Sequence, residues 1–148
     1  EKDMKIVYTP FHGTGLRLVP ETLRRAGFEN VICVKEQMIP DGRFPTVESP
    51  NPEYKKSFQM AIKLAEETGS ELVIGTDPDA DRVGVCVRNE KGEFIPLTGN
   101  QSGAILLEYL ITARKANGTL PKNACVVKKI SSNFFLDKGL KFCYIIMI

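Results

Sequence analysis

Lys5–Thr9 (KIVYT) runs through Pro10-Phe11-His12-Gly13-Thr14-Gly15 straight into a helical pattern, and no other stretch constrains the fold more. Leu16, Val19, Leu23 and Ala26 recur at helical spacing, and Gly27 fits a helix stop. Val31–Val34 is a second apolar, β-branched run. Strand, Gly-rich turn, helix and strand in that order make a βαβ unit, which implies parallel strands. Further along, Val83–Val87 and Glu93–Leu97 flank Asn89-Glu90-Lys91-Gly92, the pattern of a hairpin. The expected fold class is therefore α/β: a three-layer α/β/α arrangement around a mixed, mainly parallel sheet.

The third strand of that sheet delivers the most chemically specific stretch. Leu72-Val73-Ile74 leads into Gly75-Thr76-Asp77-Pro78-Asp79-Ala80-Asp81-Arg82. Alternate residues of an extended backbone point the same way, so Asp77, Asp79 and Asp81 are expected to converge. Pro78 favours extended geometry in the residue before it. Three ionised carboxylates that close repel one another, and a hard divalent cation is the natural counterweight. Mg²⁺ takes oxygen ligands and usually shares its shell with water and a phosphate. Arg82 adds a fixed cation with forked donors suited to phosphate. An EF-hand loop opening at Asp77 would need Gly at its sixth position and Glu at its twelfth, where this chain has Arg82 and Arg88. A phosphatase using an Asp-x-Asp pair has no use for the third Asp. The plain alternative is a solvated charged turn.

Between these elements, residues 37–52 carry four prolines, at 40, 45, 50 and 52. A loop this long in a compact domain is either functional or a linker wrapped on the surface. Glu53–Thr68 reads as a helix with Tyr54, Phe58, Ala61 and Ala65 on its apolar stripe and Gly69 as its stop. Gly103–Ala116 reads as another, with Ile105, Leu106, Leu110 and Ala113 on one face. Ala124–Ile130 is a further strand, Ser131 or Ser132 a possible helix cap, and Phe142–Ile148 an apolar, β-prone tail. The N–H groups of Gly13–Gly15, at a helix N-terminus, either face an anion or close a tight turn. His12 is the single histidine. It is carried as a site residue beside the reading of an ordinary structural histidine.

Composition removes several classes. A net charge of +2, from 20 basic and 18 acidic residues, argues for neither a nucleic-acid nor a membrane-surface partner. Cys33, Cys86, Cys125 and Cys143 lie in apolar runs without CxxC spacing. Buried, reduced thiols in a cytoplasmic protein are expected, rather than a zinc site or a disulfide framework. The 148 residues suggest one domain, or one plus a fragment. The chain starts almost directly in a strand, as if cut from something longer.

Three motifs in order carry a resemblance. Thr9–Gly15 (TPFHGTG), Pro40–Glu53 (PDGRFPTVESPNPE) and Gly75–Gly84 (GTDPDADRVG) resemble the second domain of the α-D-phosphohexomutase superfamily, in its phosphoglucomutase/phosphomannomutase branch. The similarity runs to about residue 130. Thr98-Gly99-Asn100-Gln101 resembles the junction with the third domain. The resemblance implies residues 1–99 as the metal-binding domain II and 100–148 as an incomplete domain III. It implies Mg²⁺ on Asp77, Asp79 and Asp81, with Arg82 as the active-site arginine. Val127-Lys128 stands where the family has a strand-end lysine reaching the sugar, although Lys129 replaces the usual small residue. The implied reaction moves a phosphoryl group between the 1 and 6 positions of a glucose or mannose phosphate, through a phosphoserine on the first domain. That phosphoserine loop, the sugar-selecting loop and the final phosphate-binding domain do not occur in these residues. The fragment alone is therefore expected to be inactive. A phosphopentomutase of the same branch, and a stand-alone metal- or partner-binding module, remain the alternatives, and the sequence does not fix the oligomeric state.

Overall fold

The computed structural model describes residues 2–129 and 143–147. The chain divides into two compact units, Glu1–Thr98 and Gly99–Ile148.

The first unit is built on a five-stranded sheet. Its strands are β1 (Ile6–Thr9), β2 (Val31–Cys33), β3 (Leu72–Thr76), β4 (Val83–Arg88) and β5 (Phe94–Pro96), in the order β2-β1-β3-β4-β5. The pairs β1–β2 and β1–β3 are parallel, while β3–β4 and β4–β5 are antiparallel. The expected mixed sheet is thus a parallel βαβ half followed by a hairpin. Two helices cover it, α1 (Leu18–Arg25) and α2 (Gln59–Thr68).

Register explains where the core sits. Val7 stands opposite Val73, and Val73 opposite Cys86, so one row crosses three strands. All three are fully buried, and they cluster with Phe58, Ala61 and Ala65 from the α2 side. Side chains alternate across a strand, so Tyr8 points to the other face. There its hydroxyl lies beside the site of Gly15, next to Val19 of α1. The helices therefore flank opposite faces, which gives the three layers. The α1 face is the thinner one, since no residue of α1 is buried.

Helix boundaries differ from expectation in instructive ways. The predicted helix at 53–68 is a 3-10 turn over Lys55–Phe58 followed by α2. Phe58, Ala61 and Ala65 are buried as expected, but Tyr54 precedes the helix and is 54% exposed. Gly69 stops α2 at φ 64°, a left-handed cap in which Ser70 N–H reaches the Ala65 carbonyl at 2.8 Å. The first helix likewise opens with a 3-10 turn, Thr14–Leu16, and Ala26 is an exposed C-cap rather than part of a buried stripe. Residues 37–52 are tied down at both ends. Gln37 is buried, and the Ser57 hydroxyl donates to the Ser49 carbonyl at 2.7 Å.

The second unit contains α3 (Gly99–Ala116) and a parallel pair, β6 (Cys125–Lys129) with β7 (Cys143–Met147). The helix begins four residues before the expected Gly103. Its apolar side chains are largely exposed: Ile105 by 56%, Leu106 by 57% and Leu110 by 51%. Lys128 lies on β6. Ser131 and Ser132 fall outside the described residues. Among those described, no helix is long and apolar enough to cross a membrane.

Candidate metal centre

β1 and β3 are parallel neighbours, so their carboxyl ends open on one edge of the sheet. Ligands of open α/β sheets bind beyond that edge. Asp77 follows β3 at once, and β4 begins at Val83, so residues 77–82 form the connection between two antiparallel strands. Asp77 N–H donates to the Arg82 carbonyl at 3.2 Å, adding one rung beyond Thr76 and Val83. Ala80 N–H then donates to the Asp77 carbonyl at 3.0 Å, and Ala80 takes φ 61°. The loop is therefore a tight turn and not an extended segment. Convergence of the three aspartates comes from that turn, a different route from the alternation that predicts it. Carboxylate oxygens of Asp77, Asp79 and Asp81 lie within 4.8 Å of one another.

The three carboxylates are not equivalent. Asp77 is 1% exposed, whereas Asp79 and Asp81 face solvent. Arg82 clamps Asp77 twice. Its N–H donates to Oδ1 at 2.9 Å and its Nε–H to Oδ2 at 2.7 Å. Burial pushes the Asp77 carboxyl up, but these two bonds and the guanidinium charge outweigh it and hold the group below its usual value. Asp81 is displaced the other way. The Asp79 charge raises it first, then desolvation and the Asp77 charge. Arg82 Nε stands 3.8 Å from Asp81 and relieves only part of that repulsion. The donor set fits a hard cation on chemistry: all oxygen, convergent, and crowded with like charge that a divalent ion would relieve.

A group whose folded pKa lies above its unfolded value favours folding below the unfolded value and opposes it as pH rises through the folded one. Without cation, Asp81→Asn should therefore raise the thermal midpoint slightly at pH 7. The same change should weaken divalent binding. Melting the two proteins with and without Mg²⁺ checks both signs; a fall in midpoint without cation would contradict the repulsion.

The turn after β1 is packed onto this loop. Thr14 donates to the Pro78 carbonyl through both N–H, at 2.8 Å, and Oγ1, at 3.1 Å. A Cβ on Gly13 would overlap the backbone of Pro78, so only glycine permits the approach. Gly13 N–H meanwhile bonds the Pro10 carbonyl at 2.8 Å. Two of the N–H groups considered for an anion are thus spent inside the protein, and the tight-turn reading of Gly13–Gly15 holds. His12, 5% exposed, has both ring nitrogens engaged: Nδ1 with the Ile39 carbonyl at 2.8 Å and Nε2 with Thr46 Oγ1 at 2.9 Å. The structure thus brings together Asp77, Asp79, Asp81 and Arg82, while His12 braces the 37–46 segment. Lys128 belongs to the second unit.

Tyr8 is buried close beneath the site. Burial pushes the Tyr8 phenol up to about 12, against the lowering effect of its 2.9 Å bond to Thr76 Oγ1. Sequence reasoning missed Thr9, Gln37 and Thr46, which surround His12. Gln37 sits in a single 3-10 turn, Lys35–Met38, too short for any periodicity to announce that it is fully buried.

Comparison with known proteins identifies the family of the fold. Residues 1–92 match the family described as phosphoglucomutase/phosphomannomutase, alpha/beta/alpha domain II. A phosphoglucomutase of Staphylococcus haemolyticus is 36% identical over 132 residues, covering 89% of this chain and 23% of that protein. Among solved structures, a Thermus thermophilus protein assigned as a phosphomannomutase superposes with a TM-score of 0.68 at 26% identity, over 97% of this chain and 31% of its own. N-acetylphosphoglucosamine mutase of Aspergillus fumigatus, solved with glucose 1,6-bisphosphate, shares the fold at 16% identity and a TM-score of 0.62, over 97% of this chain and 28% of its own. The chain thus spans about a quarter of the length of these relatives. With 92 consecutive residues matched, and the acidic loop among them, the chain belongs to the phosphoglucomutase/phosphomannomutase family through its alpha/beta/alpha domain II.

Proposed function

We propose that this chain is the cation-binding part of a Mg²⁺-dependent phosphosugar mutase acting on glucose or mannose phosphate. The observation that carries the reading is the set of three carboxylates within 4.8 Å of one another at the carboxyl edge of the sheet, with Arg82 locked onto the buried member. Asp77, Asp79 and Asp81 are the ligands. Bound Mg²⁺ would neutralise charge on a transferring phosphoryl group, the chief requirement of such chemistry. Arg82 keeps Asp77 ionised and aimed, and adds positive charge at the mouth of the loop. Residues 1–99 are read as domain II and 100–148 as the start of domain III, with Lys128 assigned to the sugar by its motif alone. The phosphoserine that exchanges the phosphoryl group is assigned to a further domain outside these 148 residues. A phosphosugar partner agrees with the glucose 1,6-bisphosphate bound by the Aspergillus relative. A cytoplasmic setting is kept with this reading; of the thiols expected to be buried, Cys86 is, whereas Cys33 is half-buried and Cys125 exposed.

The test is expression of the complete open reading frame that contains these residues, with an assay of glucose 1-phosphate to glucose 6-phosphate conversion. Mg²⁺-dependent conversion that is lost in Asp79→Ala is expected. Conversion of pentose phosphates alone would move the reading to a phosphopentomutase. Release of inorganic phosphate, or no turnover by a folded product, would contradict a mutase.

A further inference from the structure

His12 stands at the end of a chain of hydrogen bonds whose direction is fixed. The Ile39 carbonyl can only accept, so the proton of a neutral His12 ring sits on Nδ1. Nε2 is then an acceptor, and the Thr46 hydroxyl donates to it at 2.9 Å. Thr46 Oγ1 in turn accepts from Gln37 Nε2 at 2.9 Å. Gln37 Oε1 accepts the Thr9 hydroxyl at 2.5 Å, and Thr9 Oγ1 accepts Phe11 N–H at 3.0 Å. Reversing the Gln37 amide would turn its NH₂ toward the hydroxyl of Thr9, a residue with no exposure, and leave the hydroxyl proton facing a donor.

The same residues hold an unfavourable backbone. Phe11 and His12 take φ 45° and 65°, consecutive left-handed values that side chains with a Cβ rarely adopt. They are held there by the buried Phe11 ring, edge-on to Phe58 at 5.2 Å, by His12 N–H on the Gln37 carbonyl at 3.0 Å, and by the engaged imidazole. What this geometry supplies is the presentation of Gly13 and Thr14 to Pro78, inside the acidic loop.

We infer that His12 is a positioning residue: the Ile39 carbonyl and the Thr9–Gln37–Thr46 chain hold its ring with the proton on Nδ1, and through the Gly13–Pro78 contact it sets where the acidic loop stands. The link to cation affinity rests on the metal reading above, whereas the tautomer and the loop position do not.

His12 is the only histidine, so its ring resonances need no assignment by mutation. The experiment is ¹⁵N NMR of the 148-residue chain at neutral pH, as wild type, Thr46→Val and Thr46→Ser. Thr46 is exposed, so its replacement removes no core side chain, although in Thr46→Val the buried Gln37 amide loses its acceptor there, which Thr46→Ser restores. The expected result is an Nδ1–H ring in the wild type. Amide shifts at Gly13 and at Ala80–Arg82 should change in Thr46→Val and return in Thr46→Ser. An Nε2–H ring in the wild type overturns the chain of bonds. Unchanged acidic-loop amides in Thr46→Val overturn the positioning. An Mn²⁺ titration of the same samples separates the two readings. Affinity should fall about tenfold in Thr46→Val and recover in Thr46→Ser, the size seen when a group that orients a ligand is lost. Absence of Mn²⁺ binding in the wild type would count against the metal reading alone, because the NMR results decide the positioning without it.

Discussion

Asp77→Asn is expected to weaken divalent binding at the 77–82 loop beyond the roughly 10- to 100-fold typical of losing a group that only orients a ligand. Asp77 has two jobs that one substitution removes together. It is the buried carboxylate of the three, and it closes the loop by accepting from Arg82 N–H and Nε–H. An asparagine amide keeps the volume but not the charge. Its one oxygen can satisfy one of the two Arg82 donors, and its NH₂ must then face the other. Arg82→Lys is the informative contrast. It retains the charge and loses the Nε–H bond, so the affinity loss should lie within that 10- to 100-fold range. Mn²⁺ titrations followed by electron paramagnetic resonance, with circular dichroism to confirm folding, check both. Equal affinity in Asp77→Asn and the wild type would remove Asp77 from the site. The acid behaviour has a definite sign. Asp77 is held below its usual value, so its contribution to stability is present above the unfolded pKa of about 3.9. It is lost as pH falls through the lower, folded value.

Phe58→Ala is expected to cost about 3–5 kcal/mol of stability, the range for deleting a large buried aromatic ring. The ring is fully buried, meets Phe11 edge-on at 5.2 Å, and belongs to the cluster that joins α2 to Val7, Val73 and Cys86. Domains of this size have net stabilities of about 5–15 kcal/mol, so one such loss removes a large share. The change also reaches the site, because Phe11 begins the left-handed turn that carries His12 and Gly13. Tyr54→Ala provides the control. Tyr54 is 54% exposed, and its removal should stay within about 0.5 kcal/mol. Urea unfolding of the three proteins measures the difference. Similar losses in both variants would contradict the placement of the core.

Both predictions show which residues could be read from sequence and which could not. The βαβ start and the hairpin were legible because they are local: apolar runs of strand length, separated by a helix pattern or by Asn89–Gly92. The acidic triad was legible because its residue types are unusual at that spacing. The route by which it converges was not. A proline after Asp77 speaks for extended geometry, but the left-handed Ala80 and the Asp77–Arg82 rung turn the chain instead. Tyr54 matched the helical period yet lies before the helix, since periodicity cannot show that the first turn is a 3-10 turn. The surroundings of His12 were the least legible. Thr9, Gln37 and Thr46 come from three separate places in the chain, and only the tertiary fold makes them neighbours.

The 77–82 turn is proposed as a divalent-cation site. The most direct measurement is paramagnetic broadening of backbone amides in this chain on adding Mn²⁺, followed by competition with Mg²⁺. Broadening centred on Asp77 and on Asp79–Arg82, reversed by excess Mg²⁺, is expected. On the proposed function, affinity is also expected to be weak until a phosphate monoester is supplied, because that reading has a phosphate share the metal. Broadening spread over unrelated surface carboxylates, or none near residue 79 at millimolar Mn²⁺, would contradict it.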